Sequence, residues 1–146
     1  MQRPVRRPSH EQGFTLLELM VVIVIIGLLA TVVVVNVLPS RDKAMVEKAK
    51  ADIALIEQGL EMYRLDNFAY PNTAQGLAAL VQPPADLADP ARYRRGGYIK
   101  RLPDDPWGRA YQYANPGTRG EVDIFSLGAD GQPGGEDDNA DIGNWQ

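Results

Sequence analysis

Carboxylate side chains are concentrated in a glycine-rich stretch near the C-terminal end of the sequence. Five carboxylates and four glycines fall within the fifteen residues from Leu127 to Asp141. Oxygen ligands on a flexible loop suit a hard cation such as Ca²⁺. The spacing is not that of an EF-hand loop, because Gln132 and the glycine positions do not fit that pattern. The residues alone leave two interpretations open, a solvated mobile loop and a calcium site.

The remaining composition limits the chemistry that the chain can perform. The sequence has no cysteine, and its single histidine, His10, lies in the N-terminal arm. Disulfides, thiolate metal sites, His-based nucleophilic triads and His-ligated zinc are therefore excluded from the body of the protein. The formal net charge is −4, although the first thirteen residues carry three arginines against one glutamate. Because nucleic acids are bound by basic surfaces, and no carboxylate pair has a defined spacing, we expect neither a nucleic-acid partner nor an enzyme.

A single carboxylate, Glu18, stands near the start of an otherwise apolar segment. From Leu19 to Val35, seventeen consecutive residues carry no charge, and Thr31 is the only polar one. A charged side chain at the centre of a membrane helix costs roughly 2.5–3.5 kcal/mol. We therefore expect Glu18 either to have a partner or to reach the membrane interface from the end of a span.

The basic arm and the apolar run together favour a membrane anchor. A secretory signal has a shorter apolar core of about 7–15 residues and a small-residue cleavage site, which Val35 to Pro39 does not supply. A twin-arginine signal at Arg6-Arg7 is disfavoured by Pro8 and by the same long core. The 25 residues from Phe14 to Leu38 exceed the length that a hydrocarbon core of roughly 30 Å requires. The preceding arginines predict a cytoplasmic N-terminus.

Beyond the apolar run, the spacing of hydrophobic residues becomes that of a helix. Intervals of three and four residues separate Val46, Ala49, Ile53, Ile56, Leu60 and Tyr63. This stripe predicts a helix that buries one face and continues to Asp66. A helix from Phe14 to Asp66 would extend for about 80 Å at ~1.5 Å per residue. Pro39 predicts a kink or a local opening within it.

Short elements and turns follow from residue 67 onward. Thr73 to Leu80 reads as one short helix, and Asp105 to Gly108 has strong turn chemistry. Strands are predicted at Tyr111 to Tyr113 and at Glu121 to Phe125, where Val122 and Ile124 alternate with polar residues. The predicted fold class is α+β, with a long N-terminal helix packed on a small antiparallel sheet.

The segment from Gly13 to Glu18 resembles the cleavage and methylation motif of type IV pilins and type II secretion pseudopilins. The resemblance implies that a prepilin peptidase cuts after Gly13 and that the new N-terminal Phe14 is N-methylated. It also implies that Glu18 neutralises the terminal amine of a neighbouring subunit in an assembled filament. The chain departs from the family pattern by having Val35 where many relatives have a proline, with Pro39 one turn later.

Further segments are similar to the major pseudopilins of type II secretion. They are Met62–Asn67, Tyr70–Leu77, Gly97–Pro103, Asp104–Gly108, Ser126–Gly131 and Ala140–Trp145. This resemblance implies calcium binding in the C-terminal loop. The implied side-chain ligands are Asp130 and Asp141, and the implied main-chain ligands are Leu127 and Gln132. The family's acidic residue before the last aspartate falls on Ala140, which can give only a backbone oxygen, and Asp137 or Asp138 is expected to compensate.

The resemblance implies a structural subunit of the type II secretion pseudopilus in a Gram-negative inner membrane, with its C-terminal domain in the periplasm. The implied partners are other copies of the chain, minor pseudopilins, the inner-membrane secretion platform and the prepilin peptidase. The expected division is a leader at 1–13, a transmembrane and filament-core helix at 14–38, an amphipathic stalk at 39–66 and a periplasmic head at 67–146. The alternatives are a type IV pilin, a minor pseudopilin, and a membrane-anchored periplasmic binding module.

Overall fold

The computed structural model describes residues 13–146, without the side chains of 33–40 and of Asp138. The predicted leader, apart from Gly13, lies outside the described residues. One long helix, α1 (Leu16–Asn67), precedes three short strands, β1 (Gln112–Ala114), β2 (Asp123–Ser126) and β3 (Ile142–Gly143). Short 3₁₀ helices occur at Leu77–Leu80, Pro90–Arg92 and Asp137–Asn139. The predicted α+β class, with a long helix and a small antiparallel sheet, is confirmed.

The long helix begins and ends close to the predicted positions. It continues through Pro39 in place of the expected opening, and the chain divides after this residue into two compact units. The helix ends where Phe68 adopts a φ of 62° and donates its N–H to the carbonyl of Arg64 at 2.7 Å. A left-handed residue at this position is a common way to terminate a helix.

The first unit presents apolar side chains outward. Large hydrophobic side chains between Phe14 and Val32 are all at least half exposed, from 50% at Val21 to 85% at Phe14. The hydroxyl of Thr31 donates to the carbonyl of Gly27 at 2.7 Å, so this polar group is satisfied within the helix. Within the described residues, no helical segment combines the length and the hydropathy that a membrane span requires.

The second unit has its core along the predicted stripe of α1. Ala49, Ile53, Ile56, Leu60 and Tyr63 are each at most 3% exposed, while Val46 is partly buried at its edge. Their partners in the core come from the loops and the sheet, and include Leu77, Leu80, Tyr98, Ile99, Ile124 and Ile142. The helical periodicity therefore identified the buried face of α1 correctly.

The sheet has the order β1-β2-β3, and both pairs are antiparallel. β2 is central and pairs Ile124 with Tyr113 on one side and Ser126 with Ile142 on the other. The two predicted strands are each present within two residues of their predicted bounds. β3 was not predicted from the sequence, because two residues are too few to display an alternating pattern.

The predicted helix from Thr73 to Leu80 is wrong in its first half. Asn72 and Gln75 exchange side-chain-to-backbone hydrogen bonds of 2.9 and 2.8 Å, which hold a turn. Gly76 then adopts a φ of 59°, outside the helical region, so only Leu77–Leu80 forms a 3₁₀ helix. Asparagine side chains commonly compete with helix formation by binding nearby backbone groups in this way.

Replacing Leu60 by alanine tests the dependence of the fold on the α1 stripe. Leu60 is fully buried, so Leu60→Ala is expected to lower the free energy of unfolding by about 2–5 kcal/mol. Leu55, on the same helix, is 49% exposed, and Leu55→Ala is expected to change stability by about 0.5 kcal/mol or less. Urea denaturation of the two variants measures the difference, and similar losses would refute the assigned face.

Candidate functional site

The C-terminal acidic loop is closed at its base by two strands of the sheet. β2 ends at Ser126 and β3 begins at Ile142, and these two residues are paired in the ladder. Because the strands are antiparallel, the next residues outward, Leu127 and Asp141, leave the same end of the sheet. The sheet therefore brings together the first and last of the predicted ligand positions.

Next to this strand pair, the backbone at Gly128, in the first arm of the loop, packs closely on the backbone at Asn139 and Ala140, in the second arm. A Cβ atom on Gly128 would lie 2.7 Å from the carbonyl oxygen of Ala140 and 2.9 Å from that of Asn139. Gly128 also has a φ of 64°, which side chains other than glycine rarely adopt. A glycine is therefore required here, and it places Ala140 beside the arm that carries Leu127.

Asp141 has one satisfied and one unsatisfied carboxylate oxygen. Its Oδ2 accepts a hydrogen bond from the N–H of Gly134 at 2.9 Å, and its own N–H donates to the Gly134 carbonyl at 3.0 Å. Its Oδ1 is buried and has no hydrogen-bond partner among the described residues. Buried polar atoms normally have a partner, so this oxygen is an exception for which a bound cation would account.

The other predicted ligands lie in a turn of the same loop. The side chain of Asp130 accepts a hydrogen bond from the N–H of Gln132 at 2.9 Å, and the Leu127 carbonyl accepts one from Gly131 at 3.2 Å. Among the described residues, no three acidic, histidine or cysteine side chains are close enough to hold a metal together. The unpartnered Oδ1 of Asp141 is nevertheless an oxygen donor of the kind that calcium prefers.

A buried carboxylate, Asp105, anchors the end of β2 that leads into the loop. Asp105 is 4% exposed, and its Oδ2 accepts a hydrogen bond from the Ser126 hydroxyl at 2.6 Å. Its Oδ1 accepts from the backbone N–H groups of Trp107 and Arg109 at 3.0 and 2.8 Å. The sequence indicated a turn here, but it did not show that the turn carboxylate reaches a residue 21 positions away.

A second buried carboxylate, Asp123, fixes the turn that precedes β2. It is 3% exposed and accepts hydrogen bonds from the backbone N–H groups of Thr118, Arg119 and Gly120 and from the Thr118 hydroxyl. Burial acts to raise the pKa of Asp123, but these hydrogen bonds outweigh it and hold the pKa below its ordinary value. The alternating pattern in the sequence had placed this residue on the polar side of the strand.

The N-terminal motif forms a capping box at the start of α1. The Thr15 N–H donates to Oε2 of Glu18 at 2.8 Å, and the Glu18 N–H donates to the Thr15 hydroxyl at 3.2 Å. The Thr15 hydroxyl also donates to the same Oε2 at 3.0 Å. The spacing of Thr15 and Glu18 is that of the reciprocal N-terminal cap, a pattern that is visible in the sequence itself. Glu18 therefore has a partner within its own chain.

The lowered pKa of Asp123 predicts a pH dependence of stability with a defined sign. The ionised carboxylate stabilises the fold above the ordinary aspartate pKa of about 3.9, and this contribution is lost as the pH falls through the lower folded-state value. Asp123→Asn is expected to lower the Tm at about pH 6 and to reduce the further loss on acidification.

Thermal unfolding at several pH values from about 6 to 2 measures this effect. Glu121→Gln is the matched control, because its side chain is 70% exposed and lies two residues away. An unchanged acid-induced loss of Tm in Asp123→Asn would contradict the assignment.

Known proteins match nearly the whole chain. Residues 36–145 match the family model described as "Type II secretion system (T2SS), protein G", and residues 8–34 match the "Prokaryotic N-terminal methylation motif". The chain is 56% identical to the type II secretion system core protein G of Vibrio cholerae, with 97% of this chain and 96% of the relative covered. The corresponding protein of Pseudomonas aeruginosa is also 56% identical, with 93% and 96% covered.

A solved structure has the same fold. It is the crystal structure of the major pseudopilin from the type 2 secretion system of enterohaemorrhagic Escherichia coli, with a TM-score of 0.66 and 51% identity, covering 75% of this chain and 90% of that one. The pseudopilin interpretation of the sequence is confirmed, and the matches do not favour a type IV pilin, a minor pseudopilin or an anchored binding module. The chain belongs to the protein G family of the type II secretion system.

Proposed function

We propose that this chain is the major subunit of a type II secretion pseudopilus, which polymerises from the inner membrane and drives export of folded proteins from the periplasm. The observation that carries the proposal is the near full-length match to core protein G relatives, together with the processing motif at Gly13 to Glu18. The chain acts by assembly and performs no reaction. Its partners are other copies of itself, minor pseudopilins, the inner-membrane platform and the prepilin peptidase.

Residues 14–38 form the proposed membrane and filament-core segment, with the head in the periplasm. Glu18 is the only charged residue in this range. The large apolar side chains from Phe14 to Val32 are at least half exposed in the isolated chain. An apolar surface of this extent is stable only when it is covered. Lipid covers it before assembly, and the same segment of neighbouring subunits covers it afterwards.

The proposed assembly contact joins Glu18 to the amine of a neighbour's Phe14. Cleavage after Gly13 creates this amine, so the contact exists only in the processed protein. The capping bonds from Thr15 both use Oε2 of Glu18, and we assign Oε1 to the neighbour's amine. A carboxylate paired in this way avoids the cost of an isolated charge in apolar surroundings.

Calcium is the proposed ligand of the C-terminal loop. Asp130 and Asp141 supply carboxylate oxygens, and Leu127, Gln132 and Ala140 supply main-chain oxygens, with Asp137 or Asp138 adding a further carboxylate. When bound, the ion supplies positive charge that offsets the repulsion among the acidic side chains of the loop. The support comes from the orphaned buried Oδ1 of Asp141 and from the backbone contacts that bring both arms of the loop together.

Substitution of Glu18 tests the assembly contact. Glu18→Leu is expected to be inserted and processed normally, so mass spectrometry should show that residues 1–13 are removed and that Phe14 carries one added methyl group. Secretion of exoproteins by this variant is expected to stop. Thr15→Ala is the matched control, because it weakens the helix cap but keeps the carboxylate, and secretion is expected to continue. Normal secretion by Glu18→Leu would remove Glu18 from the mechanism, and an intact leader in the unmodified chain would favour a plain anchor.

Removal of calcium tests the loop site. At a calcium concentration about one hundred times the Kd, binding stabilises the folded chain by about 2.7 kcal/mol, so a chelator is expected to lower the Tm by several degrees. Asp141→Asn is expected to abolish this calcium-dependent shift. Glu136→Gln removes a charge from an exposed position in the same loop and is expected to retain most of it. A chelator-independent Tm, with no metal found by elemental analysis, would refute the site.

A further inference from the structure

An arginine outside the acidic loop donates hydrogen bonds to its main chain. Nη2 of Arg109 donates to the carbonyl of Gly128 and to that of Ala129, the latter at 3.3 Å. The guanidinium also lies against Gly131, where Nη1 leaves no room for a Cβ atom. The turn from 128 to 131, which contains the proposed ligand Asp130, is therefore formed around this side chain.

The arginine is itself held by the buried frame beneath the loop. Its backbone N–H donates to Oδ1 of Asp105 at 2.8 Å, and the side chain of this carboxylate is 1% exposed. Nε of Arg109 lies 3.8 Å from Oδ2 of the same residue and has no hydrogen-bond partner among the described residues. The same Oδ2 accepts the hydroxyl of Ser126, the last residue of β2. A continuous set of contacts thus runs from β2 through Asp105 and Arg109 to the carbonyls of the loop.

The positive charge of Arg109 is unfavourable beside a proposed calcium site. A guanidinium near a site for a divalent cation repels the ion, so charge alone makes Arg109 unfavourable for calcium binding. Both loop carbonyls, however, accept from the same nitrogen, Nη2, and the planar guanidinium fixes the directions of its two N–H groups. The carbonyls are those of Gly128 and Ala129, and two of the three proposed main-chain ligands, Leu127 and Gln132, lie close to them in the chain. The hydrogen bonds fix the backbone on which those ligands lie.

We propose that Arg109 is a positioning residue for calcium, which holds the loop in its binding conformation before the ion arrives. The inference rests on the proposed calcium site and adds a residue to it that supplies no ligand atom. Residues that orient metal ligands typically contribute about 10–100-fold to metal affinity. If Arg109 positions the loop, removing it lowers the calcium affinity, and if it acts mainly by charge repulsion, removing it raises that affinity. One measurement of calcium affinity therefore separates the two.

The test is calcium titration by calorimetry of the full processed chain in detergent micelles, with calcium chloride alone as the ligand. Arg109→Gln is expected to weaken binding by about 10–100-fold. Arg109→Lys keeps the charge but lacks the planar guanidinium that directs the N–H groups of Nη2, and it is expected to weaken binding as well. Arg119→Gln is the matched charge control, because Arg119 and Asp141 line the same groove, and binding is expected to be unchanged or tighter.

A metal-free measurement reports the positioning directly. Backbone hydrogen exchange at residues 127–134 is expected to be faster in Arg109→Gln than in the unmodified chain, with exchange along the buried face of α1 unchanged. If Arg109→Gln does not fold, Arg109→Lys replaces it in this measurement and is expected to show the same faster exchange at residues 127–134.

Two results overturn the inference and are distinguishable. Equal or tighter calcium binding by Arg109→Gln, when the unmodified chain binds calcium, refutes the role of Arg109 and leaves the calcium site intact. Absence of calcium binding by the unmodified chain refutes the site itself, and the role of Arg109 with it. Neither result bears on the assembly role of Glu18.

Discussion

The second unit depends on the burial of one face of α1. Its strands contain two to four residues each, and its other helices are single 3₁₀ turns. Elements of this length are not stable alone, because they cannot bury enough apolar surface to offset their conformational entropy. They become ordered by packing on the stripe from Ala49 to Tyr63, which is at most 3% exposed. Tyr98, Ile99 and Ile124 complete this core from the loops and from β2.

Polar contacts connect the core to the acidic loop. Ile124 of β2 is fully buried, and two residues later Ser126 binds the buried carboxylate of Asp105. Asp105 in turn lies beside Arg109, which donates to the loop carbonyls. The carboxylate oxygens of Asp105 both accept hydrogen bonds, from the Ser126 hydroxyl and from backbone N–H groups, whereas Nε of Arg109 is buried without a hydrogen-bond partner among the described residues. The loop contributes little apolar surface itself and takes its shape from these contacts.

The sequence predicted the features that local patterns encode and missed those that depend on distant contacts. Hydrophobic spacing identified the buried face of α1, because a helix repeats its neighbours every three or four residues. The bonds of Asp105 to Ser126 and of Arg109 to Gly128 join residues 21 and 19 positions apart, and no local pattern signals them. The predicted ligand positions came from resemblance to a family, and they stay predictions. The orphaned oxygen of Asp141 could be found only from the three-dimensional arrangement.

The capping box changes the energetic interpretation of Glu18. From the sequence, a carboxylate in an apolar segment was expected to need a partner or to reach the membrane interface. In the folded chain, two donors from Thr15 already bind this carboxylate at the N-terminus of α1, where the helix dipole also favours negative charge. An unassembled subunit can therefore hold the charge before any neighbour is present. The proposed contact with a neighbour's amine then adds to a carboxylate that the subunit has already positioned, which favours docking in one register.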